Sequence, residues 1–206
     1  MFECDAKLSA DGVVYLLHDT TLDRTTNARG PAHLRTWKEL SLIDAGSWHS
    51  ESFKGEPIPT LEQIASFCLD NKCQLNIEIK PSPGFEALTG EVVAREVQRL
   101  WTEPPPLLTS FKREALQAAL TTAPEIPRGL LMQTLASDWR NAVQILKCTA
   151  LVCHEKIFSA KLIKEIHEQG MSAVAYTVND QERAQALLGM GLDAIITDQM
   201  TFGAAQ

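Results

Sequence analysis

Short runs of β-branched and apolar residues alternate along this chain with longer amphipathic runs, and that rhythm limits the folds open to it. The strand candidates are residues 2–8, 74–80, 107–111, 128–132, 150–154, 172–178 and 194–197. Helix candidates at residues 86–101, 113–121, 138–146, 160–169 and 181–190 fall between them. Gly170 and Gly191 stand where helices should stop, each just before another strand. Asn179 and Asp180 are placed to cap the helix that follows them. Such a βαβα order calls for a parallel sheet covered by helices. A closed eight-stranded barrel and an open doubly wound sheet both satisfy it. An eighth run, residues 13–17, follows Asp11-Gly12 and reads as a hairpin partner of the first strand. The stretch from 20 to 61 breaks the rhythm with Gly30-Pro31, Gly46, Gly55 and the Pro57/Pro59 pair. A long irregular excursion of this kind is more often functional than accidental. With 206 residues, one domain spanning 1–206 with 20–61 as an insertion is the expected organisation.

Composition narrows the partners. The net charge is -7, with no basic run, which argues against nucleic acid and against an anionic membrane surface. No stretch reaches the length of a spanning helix, so no stable membrane anchor is expected. Five cysteines in odd number and without a CxxC pair point to reduced thiols and a cytoplasmic setting. A phosphate-bearing small molecule stays open, because a bound cation reverses the local field. Oligomeric state is not legible here.

Charged residues interrupt two of the strands at alternate positions. Glu3 and Asp5 lie two apart, so their side chains share a face. Two adjacent carboxylates repel unless something positive lies between them, and oxygen ligands suit Mg²⁺ or Ca²⁺. A solvated strand face is the alternative. In Asn76-Ile77-Glu78-Ile79-Lys80-Pro81 the isoleucines take one side, and Glu78 and Lys80 the other. A buried parallel strand normally runs continuously apolar, so these charges need partners. Glu78 could be a third metal ligand and Lys80 a phosphate contact; an internal Glu–Lys pair is the competing account. His18 ends the 13–17 run, where an imidazole is suited to proton transfer, although a lone histidine is more often structural. His33 and His49 are expected to face solvent, and His154 and His167 carry weaker claims. No zinc spacing, nucleophile elbow, P-loop or dinucleotide fingerprint occurs.

Several motifs occur in order. They are Phe2-Glu3-Cys4-Asp5-Ala6-Lys7-Leu8 with Asp11-Gly12, then the run from Leu17-His18-Asp19 to Arg24-Thr25-Thr26. Asp44-Ala45-Gly46-Ser47-Trp48, the run from Gly55 to Leu61, and Asn76-Ile77-Glu78-Ile79-Lys80-Pro81 follow. Tyr176-Thr177-Val178-Asn179 and the run from Gly191 to Asp198 close the set. Together they resemble the glycerophosphodiester phosphodiesterase family, especially its cytoplasmic bacterial branch. The resemblance implies a (β/α)₈ TIM barrel with a small capping insertion at 20–61. It implies metal-dependent hydrolysis of glycerophosphodiesters to an alcohol and sn-glycerol 3-phosphate. Glu3, Asp5 and Glu78 then match metal ligands, His18 one of two catalytic histidines, Lys80 a phosphate contact and Tyr176 an aromatic residue near the substrate. Family members open with a strand ending in His-Arg-Gly and a helix, and neither is in this sequence. The expectation is therefore a barrel lacking its first strand and helix, marginally stable and nearly inactive. An inactive or binding-only remnant is the alternative, and a lysolipid-directed relative is a third reading. For that third reading Trp37, Trp48 and Phe53 are the only hint.

Overall fold

The computed structural model describes residues 1–101 and 104–200. The chain forms two compact units, Met1–Ile126 and Pro127–Gln206.

In the first unit, β1 (Phe2–Leu8) turns back at Asp11-Gly12 into β2 (Val14–Leu16). The pair is antiparallel, with Ala6 opposite Leu16 and Leu8 opposite Val14. Gly12 supplies the turn with a φ of +84°, a conformation a side chain would strain. The short helix α1 (Trp37–Leu40) and then α2 (Leu61–Asp70) precede β3 (Leu75–Ile79). α3 (Glu86–Leu100), β4 (Leu107–Ser110) and α4 (Arg113–Thr122) complete the unit. The strand order is β2-β1-β3-β4, with β1, β3 and β4 parallel. The excursion at 20–61 holds α1 and a buried cluster of its own, and the helix α2 that follows it was not among the expected elements. Thr60 caps α2 by accepting from the Gln63 amide, and the Gln63 side chain returns to the Thr60 amide. That reciprocal box is readable from the Thr-x-x-Gln spacing.

Among the described residues of this unit, two separate apolar clusters stand out. Ala6, Leu8, Ile77 and Ile79 turn one strand face toward Leu61, Ala65, Val93 and Ala94 of the helices. Tyr15, Leu17, Leu22, Leu40, Ile43 and Ile58 form a second cluster, built mainly by the excursion itself. The alternation that sends Cys4, Ala6 and Leu8 to the helix layer sends Glu3, Asp5 and Lys7 to the opposite face.

The second unit runs β5 (Arg128–Met132), α5 (Trp139–Ile145), β6 (Ala150–His154), α6 (Ala160–Glu168), β7 (Ser172–Tyr176), α7 (Gln181–Gly189) and β8 (Ala194–Ile195). Its strands are parallel in sequence order. Gly170 and Gly191 take left-handed φ values of +73° and +96° behind α6 and α7, as their positions predict. Asp180 caps α7 by accepting from the Arg183 amide. No helix of the described residues is long and apolar enough to cross a membrane.

Candidate active site

Parallel pairing of β1 with β3 puts Glu3 opposite Asn76 and Asp5 opposite Glu78. Register partners on neighbouring strands point to the same face, so the alternating charges of the two strands meet. Ligand oxygens of Glu3, Asp5 and Glu78 all lie within 4.8 Å of one another. The structure thus brings together the three carboxylates singled out from sequence. Asp5 and Glu78 are sequestered, with side chains 14% and 12% exposed.

Lys80 lies beside them. Its ammonium nitrogen is 3.0 Å from Asp5 Oδ1 and 3.9 Å from Glu78 Oε1. The Glu–Lys pair, the competing account of these charges, is present, yet the tighter partner of Lys80 is Asp5. Lys7, which the sequence reading passed over, is almost fully buried on the same face and donates from Nζ to the Lys80 carbonyl at 3.2 Å. Its signal was the continued alternation Glu3, Asp5, Lys7. Burial pushes the Lys7 ammonium below its ordinary value, with Lys80 adding to the effect and the carboxylates opposing it. Burial also pushes the Glu78 carboxyl up to about 7, against the pull of Lys80; Asp5 adds to the rise, and His18 and Lys7 oppose it. Lower on the face the polar lining continues: Thr109 of β4 donates to the buried Asn76 amide oxygen at 3.0 Å.

His18 follows directly on the hairpin. The Leu17 amide donates to the Asp5 carbonyl at 3.1 Å, which ties this turn to the acidic strand. The His18 ring is 63% exposed, and its Nδ1 lies 2.8 Å from Asp19 Oδ1. Arg24 donates to the same carboxylate, Nε to Oδ2 at 2.6 Å and Nη2 to Oδ1 at 3.0 Å. First the Arg24 hydrogen bonds and then that of His18 hold the Asp19 carboxyl well below the usual range, against its partial burial. His33 departs from the solvent-facing expectation: it is half-buried, its ring packs near Phe85, and its Nδ1 is buried with no hydrogen-bond partner among the described residues.

In the second unit, Tyr176 ends β7 and donates its hydroxyl to Gln133 Oε1 at 3.1 Å. His154, its register partner at the end of β6, meets the ring edge-on at 6.1 Å between centroids. Side chains at strand C-termini are where parallel α/β folds bind ligands.

Comparison with known proteins decides the family. The model of the glycerophosphoryl diester phosphodiesterase family matches residues 1–201. The chain belongs to this family. A glycerophosphodiester phosphodiesterase of Caldanaerobacter subterraneus subsp. tengcongensis is 32% identical over 203 residues, covering 95% of this chain and 81% of the relative. A phosphodiesterase of Oleispira antarctica, solved in complex with the product sn-glycerol-3-phosphate, has a TM-score of 0.91 and 34% identity. That alignment covers 95% of this chain and 80% of the neighbour. A glycerophosphodiester phosphodiesterase from Agrobacterium tumefaciens has a TM-score of 0.81 at 27% identity, over 99% of this chain and 87% of the other. The α/β barrel class that the motifs implied is therefore the fold of this glycerophosphodiester phosphodiesterase, and its reaction class is phosphodiester hydrolysis.

Proposed function

We propose that this phosphodiesterase cleaves glycerophosphodiesters with a divalent cation, Mg²⁺ or Ca²⁺, held by Glu3, Asp5 and Glu78, and releases an alcohol and sn-glycerol 3-phosphate. The convergence of three carboxylates within 4.8 Å carries the reading. The donor set fits such an ion: the ligands are hard oxygens, and the buried Glu78 carboxyl gains most from a cation beside it. When bound, the ion supplies Lewis-acid polarisation of the phosphoryl oxygens. The remaining work falls to side chains. Lys80 balances charge on a phosphate oxygen. His18, exposed at the edge of the acidic face, takes up or returns the proton that moves as the P–O bond to the alcohol breaks. Tyr176 is the aromatic residue that the family resemblance implies near the substrate. The product found with the Oleispira neighbour supports glycerol 3-phosphate as the retained half of the substrate.

Release of glycerol 3-phosphate from glycerophosphocholine tests the reading. Excess chelator should abolish turnover, and Mg²⁺ or Ca²⁺ should restore it. Undiminished turnover in chelator would remove the metal. Calorimetric binding of glycerophosphocholine without any release would instead leave a binding-only protein.

A further inference from the structure

We infer that Asp19, itself fixed by Arg24, is a positioning residue that sets the tautomer of His18 and makes Nε2 its proton-transfer atom. The inference rests on the proposed role of His18 and adds to it which ring nitrogen works and what holds it.

An ionised carboxylate only accepts hydrogen bonds. Asp19 accepts two from Arg24, Nε to Oδ2 and Nη2 to Oδ1, the fork of a bidentate guanidinium pair. Protonating Asp19 would set a neutral, weaker acceptor against the guanidinium, so the fork favours the ionised form. With Asp19 ionised, the 2.8 Å contact between its Oδ1 and His18 Nδ1 has one consistent assignment: Nδ1 carries the hydrogen and donates it. In the neutral ring Nε2 is then left with its lone pair. Free histidine prefers the opposite tautomer, so the protein selects the rarer form. The ring is 63% exposed while the Asp19 side chain is only 25% exposed, which leaves the ring reachable and its anchor less so. A proton arriving at Nε2 creates an imidazolium whose charge faces Asp19 through Nδ1. When the proton leaves for the alcohol oxygen, the ring returns to the same tautomer. Arg24 keeps Asp19 from rotating away between the two states. The arrangement repeats the logic by which a buried aspartate orients a histidine in hydrolytic triads, on three residues close together in the chain.

Nitrogen-15 NMR on histidine-labelled protein reads the tautomer directly, with the His18 signals assigned by their loss in His18→Ala. The neutral wild-type ring should show hydrogen on Nδ1. Asp19→Asn can offer an amide hydrogen to Nδ1, so the neutral ring should shift toward hydrogen on Nε2. In glycerophosphocholine hydrolysis, Asp19→Asn should lower kcat by about 10²-fold or more with KM within about twofold. Asp19→Glu should recover part of that loss. A neutral wild-type ring with hydrogen on Nε2 would overturn the inference without any substitution. So would Asp19→Asn at wild-type kcat while His18→Ala is inactive. Wild-type kcat in His18→Ala would reject the catalytic use of His18 itself, and the inference with it.

Discussion

Glu78 makes the metal-free protein sensitive to pH. Its carboxyl rises from an ordinary 4.5 to about 7 on folding, chiefly through burial. Below pH 4.5 the group is neutral in both folded and unfolded chains. Between 4.5 and about 7 the folded chain keeps a proton that the unfolded chain has lost, so stability falls as pH rises through that window. Above it the loss is constant, about 3 kcal/mol at roughly 1.4 kcal/mol per unit. Urea unfolding of metal-free protein at a series of pH values should trace this fall, and Glu78→Gln should flatten it. A bound cation would hold Glu78 ionised, so the rise in melting temperature with Mg²⁺ should be larger at pH 8 than at pH 5. Equal shifts at both values would speak against Glu78 as a ligand. The three carboxylates were legible because strand alternation alone places Glu3 with Asp5, and Glu78 recurs on an equally apolar strand. Lys7 was not, because its significance comes from near-complete burial and from a bond to the residue 80 carbonyl. The Asp19–Arg24 fork was equally hidden, since it spans a turn with no period to read.

Among the elements, long periodic runs were read nearly to the residue: α3, β5 and β6 match their expected limits within one position. β8 is shorter than expected, Ala194–Ile195 against 194–197, because its register with β7 ends at Ala175–Ile195. α2 escaped because its sequence sits directly behind the proline pair and reads as the tail of the irregular stretch. Its buried positions Leu61, Ala65 and Cys68 nevertheless follow helical spacing. Helix packing adds a constraint that no propensity scale carries. Gly90 in α3 faces α4 so closely that a Cβ would fall 2.1 Å from the Ala115 carbonyl oxygen. Gly90→Ala should therefore destabilise the protein by roughly 1–3 kcal/mol, even though alanine regains about 1 kcal/mol of helix propensity. A lowered urea midpoint is the expected result; a raised one would mean the helices part without cost.

On the scale of the whole molecule, stability is partitioned. The cluster around Leu22, Leu40, Ile43 and Ile58 is distinct from the one between the strands and helices of the first unit. Leu40 is fully buried there, so Leu40→Ala should cost about 2–5 kcal/mol locally. Hydrogen exchange should speed up across residues 20–58 and stay unchanged in β3, α3 and α4. Uniform acceleration would show one cooperative unit instead. The same stretch leaves and re-enters the sheet at a single point. Tyr15 bridges Thr60, and the Leu16 amide donates to the Pro59 carbonyl at 2.9 Å. Its two ends are thus stapled together whatever lies between them. Doubling the intervening length adds only about 0.6 kcal/mol of closure entropy. The segment is in effect a cassette: it can be lengthened, shortened or exchanged for one with a different lining while the pairing of β1 with β3, and the carboxylates it aligns, keep their register.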